Sequence, residues 1–360
     1  MSELSRRGFT GAAAAAMAGA ATASGGKLAP LPPGIKISMQ VGEDVSDQDL
    51  AWIRQMGVEY LNVQSGKGRA TLENFLAIRQ RAESAGLKVW NISNNDNRNI
   101  EEITLGLPGR DEKIAWLKQY IRDTGKAGIG YITYAHMANG IWSSAQETTR
   151  GGGAARAFRQ ETAKGHWNGK VYEGPLTHGR RYTKEELWEN YTYFIRQIAP
   201  VAEEAGVRIG IHPDDPPAVE LGGIPRHIFG TFDGYMKALE IANSPNIGVC
   251  LCAGTWLEGG KLMGKDVFGA AREFARMGKL WKVHFRNVTG PMPYFVETYI
   301  DNGYADMLKL MKVLVEVDFR GNLIADHVPG MAPGRHAAWS YSIGYLRALY
   351  QAARADIRRS

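Results

Sequence analysis

Apolar positions along this 360-residue chain switch between two periods. Short runs rich in Val, Ile and Leu fall near residues 35–41, 58–63, 87–92, 129–134, 207–212, 246–252, 279–285 and 319–325. Between them lie longer stretches with helical spacing, and a last one covers about 339–354. The joints repeat one phrase: Met56-Gly57-Val58, Ala85-Gly86-Leu87, Ala127-Gly128-Ile129 and Ala205-Gly206-Val207. Glycine there suits the left-handed residue that ends a helix and turns the chain into the next strand. Helix starts are marked too: Ser46 precedes Asp49 by three residues, and Thr183 precedes Glu186 by three, the spacing of a capping box. Strict alternation of strand and helix demands parallel strands with helical crossovers. Eight such units favour a closed (β/α)8 barrel, an α/β fold of the TIM type, as one domain over residues 35–360.

The rhythm breaks at residues 135–182, where Trp142, Trp167 and Gly151-Gly152-Gly153 mark a long insertion after the fourth strand. Its position at the carboxyl ends of the strands makes it either a lid over a site or an exposed, partly disordered excursion. The N-terminus breaks the rhythm differently. Ser5-Arg6-Arg7-Gly8-Phe9-Thr10 leads into an alanine-rich run from Gly11 to Ala21 and a small-residue site, Ala21-Thr22-Ala23. This reads as a twin-arginine signal peptide over residues 1–24, followed by a proline-stiffened linker over 25–34. The alternative is an Ala-rich tail. The signal implies a periplasmic protein exported already folded, and no later apolar stretch is long enough to span a bilayer, so no membrane partner is expected after cleavage.

Charge changes little. The excess of 43 Lys and Arg over 37 Asp and Glu is scattered, without a basic stripe, which argues against a nucleic-acid partner. The two cysteines change more. Cys250 and Cys252 fall on one face of a strand, where a disulfide between them would be strained. At least one thiol needs another reason to be there.

Ligand-type residues supply that reason. His212 ends the fifth expected strand, Cys252 the sixth and His284 the seventh, and Asp326 follows the eighth. Four consecutive strands thus each bring a metal ligand to the end where barrel enzymes keep their active sites. Two imidazoles, a thiolate and a carboxylate suit a catalytic divalent ion, and the donors alone do not choose among Mn2+, Zn2+, Fe2+ and Co2+. Cys250 is expected in the barrel core below Cys252, with the reverse assignment open.

The phrases around these residues then become specific. His212-Pro213-Asp214-Asp215-Pro216-Pro217 with Gly223-Ile224-Pro225-Arg226 resembles the signature of the mannonate dehydratase family. Leu251-Cys252-Ala253-Gly254-Thr255, His284-Phe285-Arg286-Asn287, Phe295-Val296-Glu297, Ala305-Asp306-Met307 and Asp326-His327 extend the similarity in order over about 183–350. The resemblance implies a xylose-isomerase-like barrel, a manganese ion on His212, Cys252, His284 and Asp326, and a small sugar-acid substrate that loses water to give a 2-keto-3-deoxy acid. It further implies His327 as acid/base, with Arg286 and Arg335 as candidates for the substrate carboxylate and Glu297 for a hydroxyl. His136, after the fourth strand, is a further pocket candidate. Asp214 and Asp215 are expected to orient His212 or cap its loop.

The match has gaps. Aligning Ile343-Gly344 with the family's last helix puts Ser340 where its catalytic tyrosine belongs, so Tyr341, one residue later, is the candidate. Val328 stands where the family has Gly, and residues 135–182 look unlike other members. Two rivals remain: a metal-dependent sugar isomerase, epimerase or eliminase, and a non-catalytic periplasmic sugar-binding protein. Oligomeric state is open, a homo-oligomer included.

Overall fold

The structure, a computed structural model, describes residue 28 and residues 30–358. The expected signal peptide therefore lies outside the described residues. Eight parallel strands form the central sheet: β1 (Lys36–Gly42), β2 (Tyr60–Ser65), β3 (Lys88–Asn94), β4 (Tyr131–Tyr134), β5 (Arg208–Ile211), β6 (Ile247–Cys252), β7 (Leu280–Phe285) and β8 (Asn322–Ala325). They lie in the order β3-β2-β1-β8-β7-β6-β5-β4. The two ends of that row meet, with the Thr133 amide on β4 donating to the Asn91 side chain on β3 at 3.0 Å. The result is a nearly closed TIM barrel, as expected.

Eight main helices wrap it: α1 (Asp47–Gln55), α2 (Leu72–Ser84), α3 (Arg110–Lys126), α4 (Lys184–Ala205), α5 (Phe232–Ala242), α6 (Val267–Arg276), α7 (Met307–Glu316) and α8 (Arg335–Ile357). The expected caps hold. The Ser46 side chain accepts from the Asp49 amide, and Thr183 and Glu186 close a full capping box at the start of α4. Strands covered on both sides read as continuous apolar runs, and every residue of β6 is buried, from Ile247 to Cys252. Strand starts come one to three residues later than the apolar runs suggest, because the first apolar residues, such as Val58 and Val207, finish the helix-to-strand turn.

The insertion is ordered. Ile141–Ser143 pairs with Lys164–Trp167, which pairs with Lys170–Tyr172. Ala157–Arg159 adds to Tyr294–Thr298 from the loop after β7. The reading of this region as an exposed, disordered excursion is therefore wrong, since its backbone is knitted to the loops of the barrel mouth.

Candidate metal centre and catalytic mouth

Parallel pairing puts Cys252 of β6 beside His284 of β7, and the next strand brings Asp326 just past its end. Donor atoms of His212, Cys252 and His284 lie within 4.8 Å of one another. Asp326 adjoins this trio: its Oδ2 lies 3.8 Å from Cys252 Sγ and its Oδ1 lies 3.5 Å from His284 Nδ1. All four expected donors thus meet at one end of the barrel. Cys250 sits one pleat lower, beside His284, Lys282 and Tyr131, and both cysteines are free and buried.

These residues suit a divalent ion on their own evidence. Both ring nitrogens of buried His284 lack a hydrogen-bond partner. His212 Nδ1 lies 2.7 Å from the Pro213 carbonyl, which can only accept, so the proton sits on Nδ1 and Nε2 keeps its lone pair. Burial holds His212 neutral, its pKa lowered to about 3, with His284 beside it adding to the effect. Burial opposes charge on His284 too, but Cys250 and Asp326 beside it outweigh that and raise its pKa. Two imidazoles beside a thiol and a carboxylate make a ligand set for a borderline divalent ion.

Against this centre lies a buried charge network. Arg286, 1% exposed, reaches Glu258 at 2.8 Å, Glu297 at 2.7 Å, Asp215 at 3.2 Å and Asp326 at 3.4 Å. Its neighbour is Arg156, from the insertion, which bonds Asp215 at 2.5 Å and Glu297 at 2.7 Å. Two guanidinium forks thus hold four carboxylates in a low-dielectric site. Burial, with Asp215 beside it, pushes the Glu258 carboxyl well above the usual range. Burial opposes charge on Glu297 and Asp215 as well, but the two arginines outweigh it and keep both acids ionised. A glycine makes room for this packing: a Cβ on Gly254, in the short helix Ala253–Gly259, would collide with the Arg286 side chain.

His327 hangs from this network. Its Nδ1 lies 2.8 Å from Glu297 Oε1 and touches Arg286, while its Nε2 lies 4.0 Å from Asp326 Oδ1. Burial disfavours its charge, but Asp326 and Glu297 prevail and raise its pKa. The turn is built differently from a turn on glycine, as Val328 requires. Its left-handed residue is His327 itself, at φ 45°, and not Val328, so the β-branched side chain is unstrained.

With that geometry in view, comparison with known proteins is decisive. The family model for D-mannonate dehydratase (UxuA) matches residues 41–166 and 174–358. The chain belongs to the mannonate dehydratase family. Mannonate dehydratase of Streptococcus pneumoniae (strain 70585) is 32% identical over 276 residues, covering 71% of this chain and 74% of that one. Mannonate dehydratase of Geobacillus thermodenitrificans (strain NG80-2) is 31% identical over 308 residues, covering 77% and 80%. The crystal structure of mannonate dehydratase from Streptococcus suis serotype 2 superposes with a TM-score of 0.77 at 27% identity, over 90% of this chain and 95% of that one. An L-ribulose 3-epimerase structure, at TM-score 0.58 and 15% identity, shares the xylose-isomerase-like barrel alone. The chain is thus an enzyme of a hydro-lyase family that acts on a small sugar acid. The insertion belongs to the family too, apart from residues 167–173, which the match skips.

Five expected site residues are placed differently. His136 does not enter the mouth: its ring lies among Tyr191, Phe194 and Phe229, with Nδ1 3.0 Å from the Tyr134 hydroxyl, and burial lowers its pKa to about 3. Arg335 is exposed at the outer rim in the first turn of α8, near Asp49. Arg286 turns both terminal nitrogens to Asp215, Glu258, Glu297 and Asp326, and its Nε is buried behind Gly254. Glu297 is likewise taken up by Arg156, Arg286 and His327. Tyr341 accepts from Arg150 of the insertion at 3.2 Å, stacks on Tyr345 and meets Tyr299 edge-on. Nor does His212 lean on Asp214 or Asp215: Asp215 faces the arginine pair, and Asp214, raised by burial to about 6, lies nearer Arg226. Arg226 explains the signature phrase, since it gathers Asn139 and the carbonyls of Gly140, Asp215 and Pro216 under the loop after β5.

Proposed function

We propose that the chain is a metal-dependent sugar-acid dehydratase that takes D-mannonate to 2-keto-3-deoxygluconate, exported folded to the periplasm through its Arg6-Arg7 signal. One observation carries the reading: His327, fixed through Nδ1 by Glu297 and Arg286, presents Nε2 beside Asp326, the outermost of four donors suited to one divalent ion. Such an ion, held by His212, Cys252, His284 and Asp326, would supply Lewis-acid stabilisation of charge developing on the substrate carboxylate. Mn2+ is the ion proposed, on the family resemblance.

The protein's own part is proton transfer. His327 Nε2 takes the proton from C2, the C–H electrons form the C2–C3 double bond, and the C3–O bond breaks. The departing hydroxyl leaves as water with a proton from the same imidazolium, and the resulting enol tautomerises to the 2-keto acid. Glu297 stabilises the imidazolium while it exists, and Arg286 and Arg156 keep Glu297 ionised. One insertion strand pairs with the loop after β7 at the barrel mouth and so brings Arg156 to Glu297. Incubation of Mn2+-loaded protein with D-mannonate, with the product trapped as a 2-keto-3-deoxy acid, tests the reading. Product in the wild type and none in His327→Ala with retained metal is expected. Turnover of neutral ketosugars but not of mannonate would overturn it.

A further inference from the structure

The wall of the mouth opposite the metal donors carries a different charge pattern. β2 and β6 stand four strands apart in the eight-stranded ring, so Gln64, near the end of β2, faces Cys252 across it. Above Gln64 lies Arg98, in the loop after β3. Its Nη2 bonds Gln64 Oε1 at 3.3 Å and Asn95 Oδ1 at 2.8 Å, both neutral amides. Its Nε is buried without a partner, and neither Nε nor Nη1 meets a carboxylate among the described residues. The nearby acids are engaged elsewhere: Asp96 accepts from the Gly68 amide and Asn168, and Glu101 is held by Lys170, Tyr172 and His178. One side of the mouth thus gathers carboxylates, whereas the Arg98 guanidinium on the other makes no direct ion pair among the described residues and feels the more distant charges of Cys250 and Asp326.

A structural arginine this enclosed is ordinarily paired, because burial without an anion is costly. Burial indeed lowers the pKa of Arg98. The Trp167 ring covers the guanidinium at 5.1 Å, and a cavity of about 440 Å³, lined by Lys67, Lys113 and Lys170 as well as Asp96, Glu101 and Glu102, opens on their outer side, away from the metal donors. Trp167 begins residues 167–173, the one interval within its span that the family match skips. The segment over Arg98 is therefore where this chain departs from its relatives.

We infer that Arg98 is an anion-binding, specificity-determining residue for the substrate end remote from the metal, and that the preferred substrate is a sugar acid with a second anionic group there, such as an aldarate. This rests on the dehydratase reading for the orientation of the reacting carboxylate. Mannonate and mannarate make a matched pair, since they differ only in a hydroxymethyl or a carboxylate at C6. Calorimetric titration of each into Mn2+-loaded wild type, Arg98→Gln and Arg98→Lys reads the effect without turnover. Wild type is expected to bind mannarate about tenfold or more tighter than mannonate, the scale of one charge-assisted bond. Arg98→Gln should abolish that ratio, and Arg98→Lys, with charge but no fork, should keep part of it. Equal wild-type affinities, or a ratio that survives in Arg98→Gln at unchanged metal content, would overturn the inference. Turnover is scored separately: tight mannarate binding without 2-keto-3-deoxy acid from either substrate sinks the dehydratase reading alone, whereas mannonate turnover with equal affinities sinks the role of Arg98 alone.

Discussion

Replacing Arg156 by Met tests whether the insertion is part of the catalytic apparatus or merely lies over it. Arg156 is 16% exposed and pairs with Asp215 and Glu297, which are each 1% exposed. Removing one partner of a buried ion pair costs about 3–5 kcal/mol, because the other charge is left uncompensated. Arg286 still contacts both acids, so the lower end of that range applies. An unfolding entropy of about 2.1 cal/mol/K per residue over roughly 330 residues gives about 0.7 kcal/mol/K, so about 3 kcal/mol lowers Tm by about 4 °C. Calorimetric melting of the Mn2+-loaded proteins measures this. Turnover should fall with it, since Glu297 then shifts toward Arg286 and away from His327. Adding Asp215→Asn to Arg156→Met removes the stranded charge and should recover part of the loss, giving clear non-additivity. A Tm within about 1 °C of wild type for Arg156→Met, or strict additivity in the double variant, would refute the reasoning.

Three further outcomes are expected. Cys252→Ala should lose bound metal on dialysis, read by elemental analysis, whereas Cys250→Ala should retain it; the opposite result reverses the two thiols. Tyr341→Phe removes rim bonds to Arg150 and Asp301 and should keep at least about half of wild-type kcat, and a loss of about a hundredfold or more would restore Tyr341 as a catalytic acid. Glu101 is held to a pKa of about 2 by His178, with Lys170 and Tyr172 assisting, so its folded value lies below its ordinary 4.5. Its contribution is full above the ordinary value and is lost as pH falls through about 2, so Glu101→Gln should melt below wild type at pH 7 and converge with it in acid; a gap independent of pH would contradict that.

The barrel was legible because its signals are local. Each strand is a continuous apolar run bounded by a helix-ending glycine, and a polar residue where such a run stops stands out. That is how His212, Cys252, His284 and Asp326 came to be singled out together. The network behind them was not legible, because it depends on who surrounds whom. Arg286 looked like a substrate clamp until Glu258, Asp215, Glu297 and Asp326 were seen around it. Arg156 gave no sign at all: it lies between strands of two and three residues, too short to show a period. His136 misled for the opposite reason. It follows β4 at the right end of the barrel, yet the aromatic side chains of α4 and the loop after β5 fold over it.

Catalysis as proposed requires four side chains to share one cation. Anomalous diffraction from crystals of the protein grown with Mn2+ reads that directly. The expected result is a single strong peak about 2.0–2.3 Å from a nitrogen of His212, Cys252 Sγ, a nitrogen of His284 and an Asp326 oxygen. A peak bound elsewhere in the barrel, or none in the mouth at saturating Mn2+, would contradict it.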